Sequence, residues 1–269
     1  MKVFEVEIVG RETIKPSSPT PDNLRRYSLS MLDQIAPPVF MPLIVFFPKD
    51  DLMTNEEKID RLKRSLSQAL ARFYPLAGRV KGDNLSIECN DEGAHYVEAR
   101  VECDLADILE YPVPGLLNRL LPFKLEDVGE LVAAFQVSLF NCGGLALSFC
   151  ISHKAADALS FFTFINSWAA IARGDIRNLV TPCFDSAAMF PAVDPSLLPR
   201  TMGIVKEGIA TKRFVFDAAA IASLREKYDA GAAVASEEPY RRRLTRVEAL
   251  SAFMWSRYMA STQAAADEG

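Results

Sequence analysis

The sequence predicts an α/β fold of strands with flanking helices, and three observations carry that prediction. Leu131–Phe140 and Leu145–Ser152 read as two strands joined by Asn141-Cys142-Gly143-Gly144, a turn composition that signals a hairpin. Thr54 followed three residues later by Glu57 forms a capping box, and behind it Ile59, Leu62, Leu66, Ala69, Leu70 and Phe73 share one face of a long amphipathic helix. After Ser152 the pattern changes from strand to helix. From Asp157 the apolar residues Ala158, Phe161, Phe162, Ile165, Trp168, Ala169 and Ala172 recur at three-and-four spacing until Gly174. His153 stands at this strand-to-helix junction, the kind of place where sheet folds build ligand clefts.

The remaining elements follow in chain order. Residues 1–8, MKVFEVEI, alternate apolar with charged residues and predict a half-buried strand, and Glu5 and Glu7 interrupt any secretory apolar run. IKPSSPTPDN must cross the surface, since proline supports neither a ladder nor a helix interior. LSMLDQIAPP is expected as a compact turn region, and VFMPLIVFF as a buried strand with Pro42 at a bulge or edge. Beyond the helix that stops at Tyr74-Pro75, Leu85–Cys89 and Tyr96–Val101 are strands, with Gly82-Asp83-Asn84 and Asn90–Gly93 as their turns. Residues 104–129 read as short helix and loop. Pro182, Pro191, Pro195 and Pro199 mark 175–209 as a crossover between two domains. Lys212–Phe216 is then expected as a strand, Ala218–Tyr228 as a helix and Ala230–Pro239 as a mobile linker. Thr245 and Glu248 form a second capping box, opening a helix through Val247, Leu250, Phe253, Met254 and Tyr258. The final STQAAADEG carries no core pattern.

Composition excludes several classes of function. With 49% hydrophobic residues among 269, the chain has enough apolar surface for sizeable cores. A net charge of -5 is not the basic footprint of a nucleic-acid binder. The longest apolar runs, Val39–Phe47 and Leu131–Leu139, fall well short of the roughly 20 residues a membrane-spanning helix needs. Five cysteines (Cys89, Cys103, Cys142, Cys150, Cys183) without C-x-x-C spacing predict reduced thiols and a cytoplasmic location.

The chemistry narrows to one histidine. No third His or Cys stands at ligand spacing to His153 and Asp157, so no metal site is expected. A serine-hydrolase reading lacks G-x-S-x-G, and the nucleotide-cradling glycine patterns are missing too. His95, beside Tyr96, is expected as a surface or packed residue. His153 remains as a lone base for an acceptor hydroxyl or amine, a task suited to an imidazole because free imidazoles ionise near ~6.5. Asp157 either orients the imidazole or points away and pins the turn through an arginine. The pair His153-x-x-x-Asp157 is by itself a weak motif.

Four stretches in fixed order add specificity: LSMLDQ at 29–34, YPLAGRV at 74–80, NCGGLALSFCISHKAADALS at 141–160 followed by WAAIARG, and TRVEALSAFMW at 245–255. Together they resemble the plant acyl-CoA-dependent acyltransferases of the BAHD type, over the whole chain. The resemblance implies a chloramphenicol acetyltransferase-like fold of two domains, each a mixed sheet with flanking helices. It places an acyltransferase domain at 1–174, the crossover at 175–209 and the start of a second domain at 210–269. It further implies His153 as general base, Asp157 as a chiefly structural residue paired with a later arginine, and Thr245 near the pantetheine arm. Acyl-CoA, acetyl-CoA above all, would be the co-substrate, with no permanently bound cofactor. The partners would be that donor and a small-molecule acceptor, without nucleic acid or membrane, in a protein monomeric at full length. Met31, Leu32, Pro37 and Phe161 are candidates for the acceptor pocket, each equally readable as core.

Three departures refine the resemblance. Ala158 stands where many members carry glycine, a form seen among alkaloid acetyltransferases. Ser152 precedes His153, where peptide-synthetase condensation domains have a second histidine. The family's D-F-G-W-G stretch does not occur before Gly269, so the second domain is expected to be incomplete. A competing reading is therefore an inactive family member that acts as a binding or regulatory protein and self-associates through uncovered apolar surface.

Overall fold

The hairpin at 141–144 lies at the heart of the sheet. A computed structural model describes residues 4–82, 85–125, 129–175, 177, 179–198, 211–233 and 243–267. In chain order its elements are β1 (Val6–Ile14), β2 (Arg26–Ser28), α1 (Met31–Ile35), β3 (Phe40–Phe47), α2 (Asn55–Arg72), β4 (Arg79–Val80), β5 (Ser86–Glu88) and β6 (Ala94–Val101). There follow α3 (Leu105–Glu110), α4 (Pro114–Leu117), β7 (Ala133–Phe140), β8 (Leu145–Ser152), α5 (Ala158–Arg173), α6 (Ser186–Met189), α7 (Ala218–Ala233) and α8 (Arg246–Asp267). The main sheet has the order β1-β6-β7-β8-β3, and a smaller one the order β2-β5-β4. β6 and β7 run parallel while the other neighbours in the main sheet are antiparallel. Parallel neighbours need a crossover of a dozen residues or more, and the stretch containing α3 and α4 supplies it.

Two helices cover one face of the main sheet. α2 starts as its sequence dictates: the Thr54 side chain accepts from the Glu57 amide at 3.2 Å, and the Glu57 carboxylate accepts from the Thr54 amide at 2.8 Å. Its buried stripe, Ile59, Leu66, Ala69 and Leu70, joins Phe161, Phe164 and Trp168 of α5 over Phe135 and Phe149 of the sheet. Trp168 meets Phe135 edge-on at 5.1 Å and Phe149 at 5.6 Å, the offset geometry that aromatic quadrupoles favour. Its indole N–H donates to Ser65 Oγ on α2 at 2.9 Å, so the bulkiest core side chain is also satisfied. On the opposite face, Leu120, Leu121 and Phe123 pack on residues including Phe40, Phe140, Ala146 and Cys150.

The YPLAGRV stretch turns the chain from α2 into the small sheet, and its glycine is there for space. A Cβ on Gly78 would stand 2.3 Å from the Glu88 carbonyl oxygen and 2.9 Å from the Ile87 side chain. Because backbone cannot yield cheaply, Gly78→Ala is expected to destabilise the protein by about 1–3 kcal/mol, seen as a lower urea midpoint at unchanged slope.

Several expectations are corrected. The first strand begins at Val6 and extends to Ile14, because its span is set by pairing with β6 from Val6↔Val101 to Ile14↔Ala94. β3 is a half-exposed edge strand rather than a buried one, and Pro42, opposite Cys150, is exposed there, a position where a missing N–H costs no ladder bond. LSMLDQIAPP contains the single-turn helix α1, opened by a Ser30–Asp33 capping box. Lys212–Phe216 is not a strand: among the described residues of its unit there is no other strand to pair with, and Phe214 and Val215 are exposed. Residues 230–233, expected in a linker, continue α7, while 234–239 and the turn residues 83–84 lie outside the described residues.

The chain divides into two units, Met1–Glu207 and Gly208–Gly269. The first holds both sheets. In the second, α7 and α8 are joined by Tyr228 and Ser256 hydroxyls at 2.9 Å, and Phe216, just ahead of α7, meets Phe253 of α8 at 6.0 Å.

Candidate functional site

Every residue of β8 is buried, so the strand delivers its successor to a fixed position. The His153 amide donates to the Val39 carbonyl at 2.9 Å, and the chain then turns, with the Ala155 amide on the Ser152 carbonyl at 3.0 Å. Asp157 is the N-cap of α5: its Oδ1 accepts from the Ser160 amide at 2.7 Å. The helix closes on Gly174 in the left-handed conformation, where an absent Cβ removes the steric penalty.

This geometry separates the two members of the His153-x-x-x-Asp157 pair. The Asp157 carboxylate serves the helix, and the Ser160 hydrogen bonds hold it below the ordinary range, with His153 the least of the causes. Among the described residues Asp157 has no ion pair with an arginine, and His153 Nδ1 is buried without a hydrogen-bond partner. Asp157→Ala is expected to cost about 1 kcal/mol through the lost cap, and Asp157→Asn far less. The sign with pH follows from this favoured carboxylate. Asp157 adds stability above the unfolded carboxyl value of about 3.9, and that contribution fades as pH falls through its depressed folded value. Melting curves at pH 7 and pH 3 should therefore converge for wild type and Asp157→Asn at the lower pH.

His153 faces a cavity of about 400 Å³, within the size range of small-molecule sites. Phe73, Leu76, Ile151, Phe161, Phe164 and Phe184 make it largely apolar. Polar groups enter from Tyr27, Asp33, Thr181 and Ser186. The Tyr27 and Ser186 hydroxyls lie 3.1 Å apart, and burial pushes ionisation of the Tyr27 phenol to higher pH than usual. Phe184 stacks at 4.8 Å from Tyr74 and 5.8 Å from Tyr27, tying its segment to the rest of the first unit.

The candidates named from sequence divide accordingly. Leu32 and Phe161 line the cavity with His153 and Asp157. Phe161 is 4% exposed and so serves core and cavity together. Met31 and Pro37 are not among the lining residues; the Met31 amide instead donates to the Phe190 carbonyl at 3.0 Å. Thr245 belongs to the second unit and caps α8, accepting from the Glu248 amide at 3.2 Å. His95 is exposed on β6 and does not line this cavity. Partial desolvation foremost, then Arg79 and Arg11, lower its basicity. The sequence pattern missed Tyr27 and the wall from Val180 to Ser186, because a proline-bounded connection carries no periodicity to say which residues turn inward. The described residues contain no group of three His, Cys, Asp or Glu able to hold a metal, and no helix among them is long and apolar enough to cross a membrane. None of the five cysteines forms a disulfide.

The model of the Transferase family matches residues 4–268. The chain belongs to the BAHD-type transferase family. Among its BAHD relatives, limonoid 21-O-acetyltransferase of Melia azedarach is 41% identical over 232 residues, covering 84% of this chain and 54% of the relative. Vinorine synthase of Rauvolfia serpentina is 39% identical over 270 residues, covering 97% of this chain and 62% of the relative. The crystal structure of vinorine synthase superposes with a TM-score of 0.79 at 36% identity, over 97% of this chain and 61% of that one. The chloramphenicol acetyltransferase-like fold is thereby shown. The chain spans roughly three-fifths of the length of these BAHD relatives.

Proposed function

We propose that the protein transfers an acyl group, acetyl by preference, from acyl-CoA to a hydroxyl or amine of a plant specialised metabolite. The observation that carries this reading is His153 on the wall of a largely apolar cavity in a BAHD chain whose relatives are named O-acetyltransferases. The acceptor oxygen attacks the thioester carbonyl carbon while its proton passes to the imidazole of His153. The tetrahedral intermediate then collapses, the carbon–sulfur bond breaks, and the CoA thiolate takes up the proton held by His153. No acyl-enzyme forms, and acyl-CoA is a co-substrate rather than a resident cofactor. Base catalysis of this kind supplies about 10²–10⁴ in rate, and the remainder comes from holding donor and acceptor together.

The aromatic lining favours a polycyclic acceptor over a small polar one, since burial of apolar area would supply most of its binding energy. Two units support the reading of a first acyltransferase domain over 1–174, a crossover over 175–209 and the beginning of a second domain over 210–269. Thr245 is carried as a pantetheine contact of that second domain, in a cytoplasmic, monomeric protein. The test is purified protein with acetyl-CoA and a panel of terpenoid and alkaloid alcohols, following free thiol and acetylated product. Thiol release that requires an acceptor supports the reading. Absence of acceptor-dependent release, together with tight binding of the same alcohols, would instead support an inactive binding protein.

A further inference from the structure

The residue after His153 is a lysine whose side chain turns inward. Lys154 is only 7% exposed, and its Nζ donates to the backbone carbonyl of Gln34 at 2.7 Å, across 120 residues of sequence. Burial lowers the basicity of this ammonium, and Asp33 offsets only part of that effect. Among the described ion pairs none involves Lys154. A buried cation facing one neutral carbonyl is an expensive way to fill space, and an apolar side chain of similar volume would avoid the desolvation cost.

What the ammonium achieves is a connection. Gln34, also 7% exposed, uses both ends of its side-chain amide on Val193: Nε2 donates to the Val193 carbonyl at 3.0 Å, and the Val193 amide donates to Oε1 at 2.9 Å. Lys154 therefore joins the turn carrying His153 to α1, and Gln34 joins α1 to the stretch that follows α6. Each of these stretches, or the chain next to it, supplies cavity wall: Ala155 and Ala156 from the turn, Leu32 and Asp33 from α1, Phe184 and Ser186 ahead of Val193. α1 has five residues, too few to hold a helical turn in place by its own hydrogen bonds. Its Gln34 carbonyl is one of the orphan acceptors of a helix C-terminus, which Lys154 satisfies.

We propose that Lys154 and Gln34 are positioning residues that set the distance between the His153 imidazole and the acceptor-facing wall, an inference that rests on the acyl-transfer reading above. They touch no reacting atom and act through α1 and the His153 turn. In Lys154→Met the methionine keeps most of the volume and loses the donor. Since misplacement by about 1 Å can cost about 10² in rate, kcat/KM for the acceptor alcohol should fall about 10- to 100-fold, while KM for acetyl-CoA stays within about twofold. Gln34→Met should show the same split, and the double variant should be no worse than the poorer single one, because one strap is broken either way.

A second readout needs no turnover. His153 and His95 are the only histidines, so carbethoxylation by diethyl pyrocarbonate can be followed at each by peptide mass spectrometry. The ratio of the His153 rate to the His95 rate should change by about threefold or more in either variant, as expected when a half-buried side chain shifts its exposure. The proposal is overturned if Lys154→Met keeps the wild-type acceptor kcat/KM. It is also overturned if donor and acceptor parameters decline together in proportion to lost folded protein. Should wild type transfer no acyl group at all, the acyl-transfer reading fails, and the labelling ratio alone decides the strap: unchanged overturns it, changed sustains it. If Lys154→Met does not fold, Gln34→Met and Lys154→Gln carry the same measurements.

Discussion

His153→Ala is expected to reduce acceptor-dependent thiol release by about 10²- to 10⁴-fold, the share that a positioned general base contributes. The residue is half-buried at the end of β8, and its backbone amide, which the substitution keeps, makes the contact to Val39. The fold should therefore survive, and the loss should appear in kcat with little change in KM for acetyl-CoA. Melting curves of wild type and variant that superimpose, beside rates that differ by that factor, would place the chemistry at this imidazole. Undiminished thiol release in a folded His153→Ala protein would remove His153 from the mechanism. Asp157→Ala makes the comparison sharper: because Asp157 caps α5, removing its side chain should alter stability more than rate.

The largest effect on folding is expected at Trp168. Its side chain is 2% exposed, between the sheet residues Phe135 and Phe149 and the α5 residue Phe164, with the indole N–H on Ser65 of α2. Trp168→Ala removes a side chain that touches both helices and the sheet, and should cost about 3–5 kcal/mol. Native domains are stable by only about 5–15 kcal/mol, so this loss consumes a large part of the total. Trp168→Phe should cost less, since Ser65 Oγ still has the Arg61 carbonyl at 2.7 Å and is not stranded. Urea unfolding monitored by circular dichroism measures both. A Trp168→Ala midpoint equal to wild type would contradict the role of the α2–α5 layer.

Local chemistry made part of this architecture legible. Thr54 with Glu57 and Thr245 with Glu248 begin their helices where the residue types require, and the Asn141–Gly144 turn joins β7 to β8 in the antiparallel pairing foreseen. In each case the partners lie within a few residues of one another, so spacing alone suffices. The parallel pairing of β6 with β7 was not legible, because nothing in either strand records which neighbour the intervening crossover will bring alongside. Lys212–Phe216 shows the converse: an apolar run has strand character, but a strand exists only where another offers hydrogen bonds. At the site, residue types and order marked His153 and the helix that follows. The walls from Tyr27 and Val180–Ser186, and the Lys154–Gln34 contact, depend on encounters more than a hundred residues apart and leave no periodic trace.

The burial of β8 along its whole length has a consequence for how such a protein diversifies. A substitution in that strand disturbs two neighbouring strands and both covering layers, so the histidine it presents is costly to relocate. Leu32 on α1, and Val180 and Ser186 on the proline-bounded stretch, project into the same cavity from segments that carry little of the core. Under the proposed acyl transfer, exchanging these side chains would change the shape offered to the acceptor while His153 stays where it is, provided that the buried lysine and glutamine keep the segments in register. On that proposal, a library confined to these few positions would vary the acceptor and spare the reaction itself.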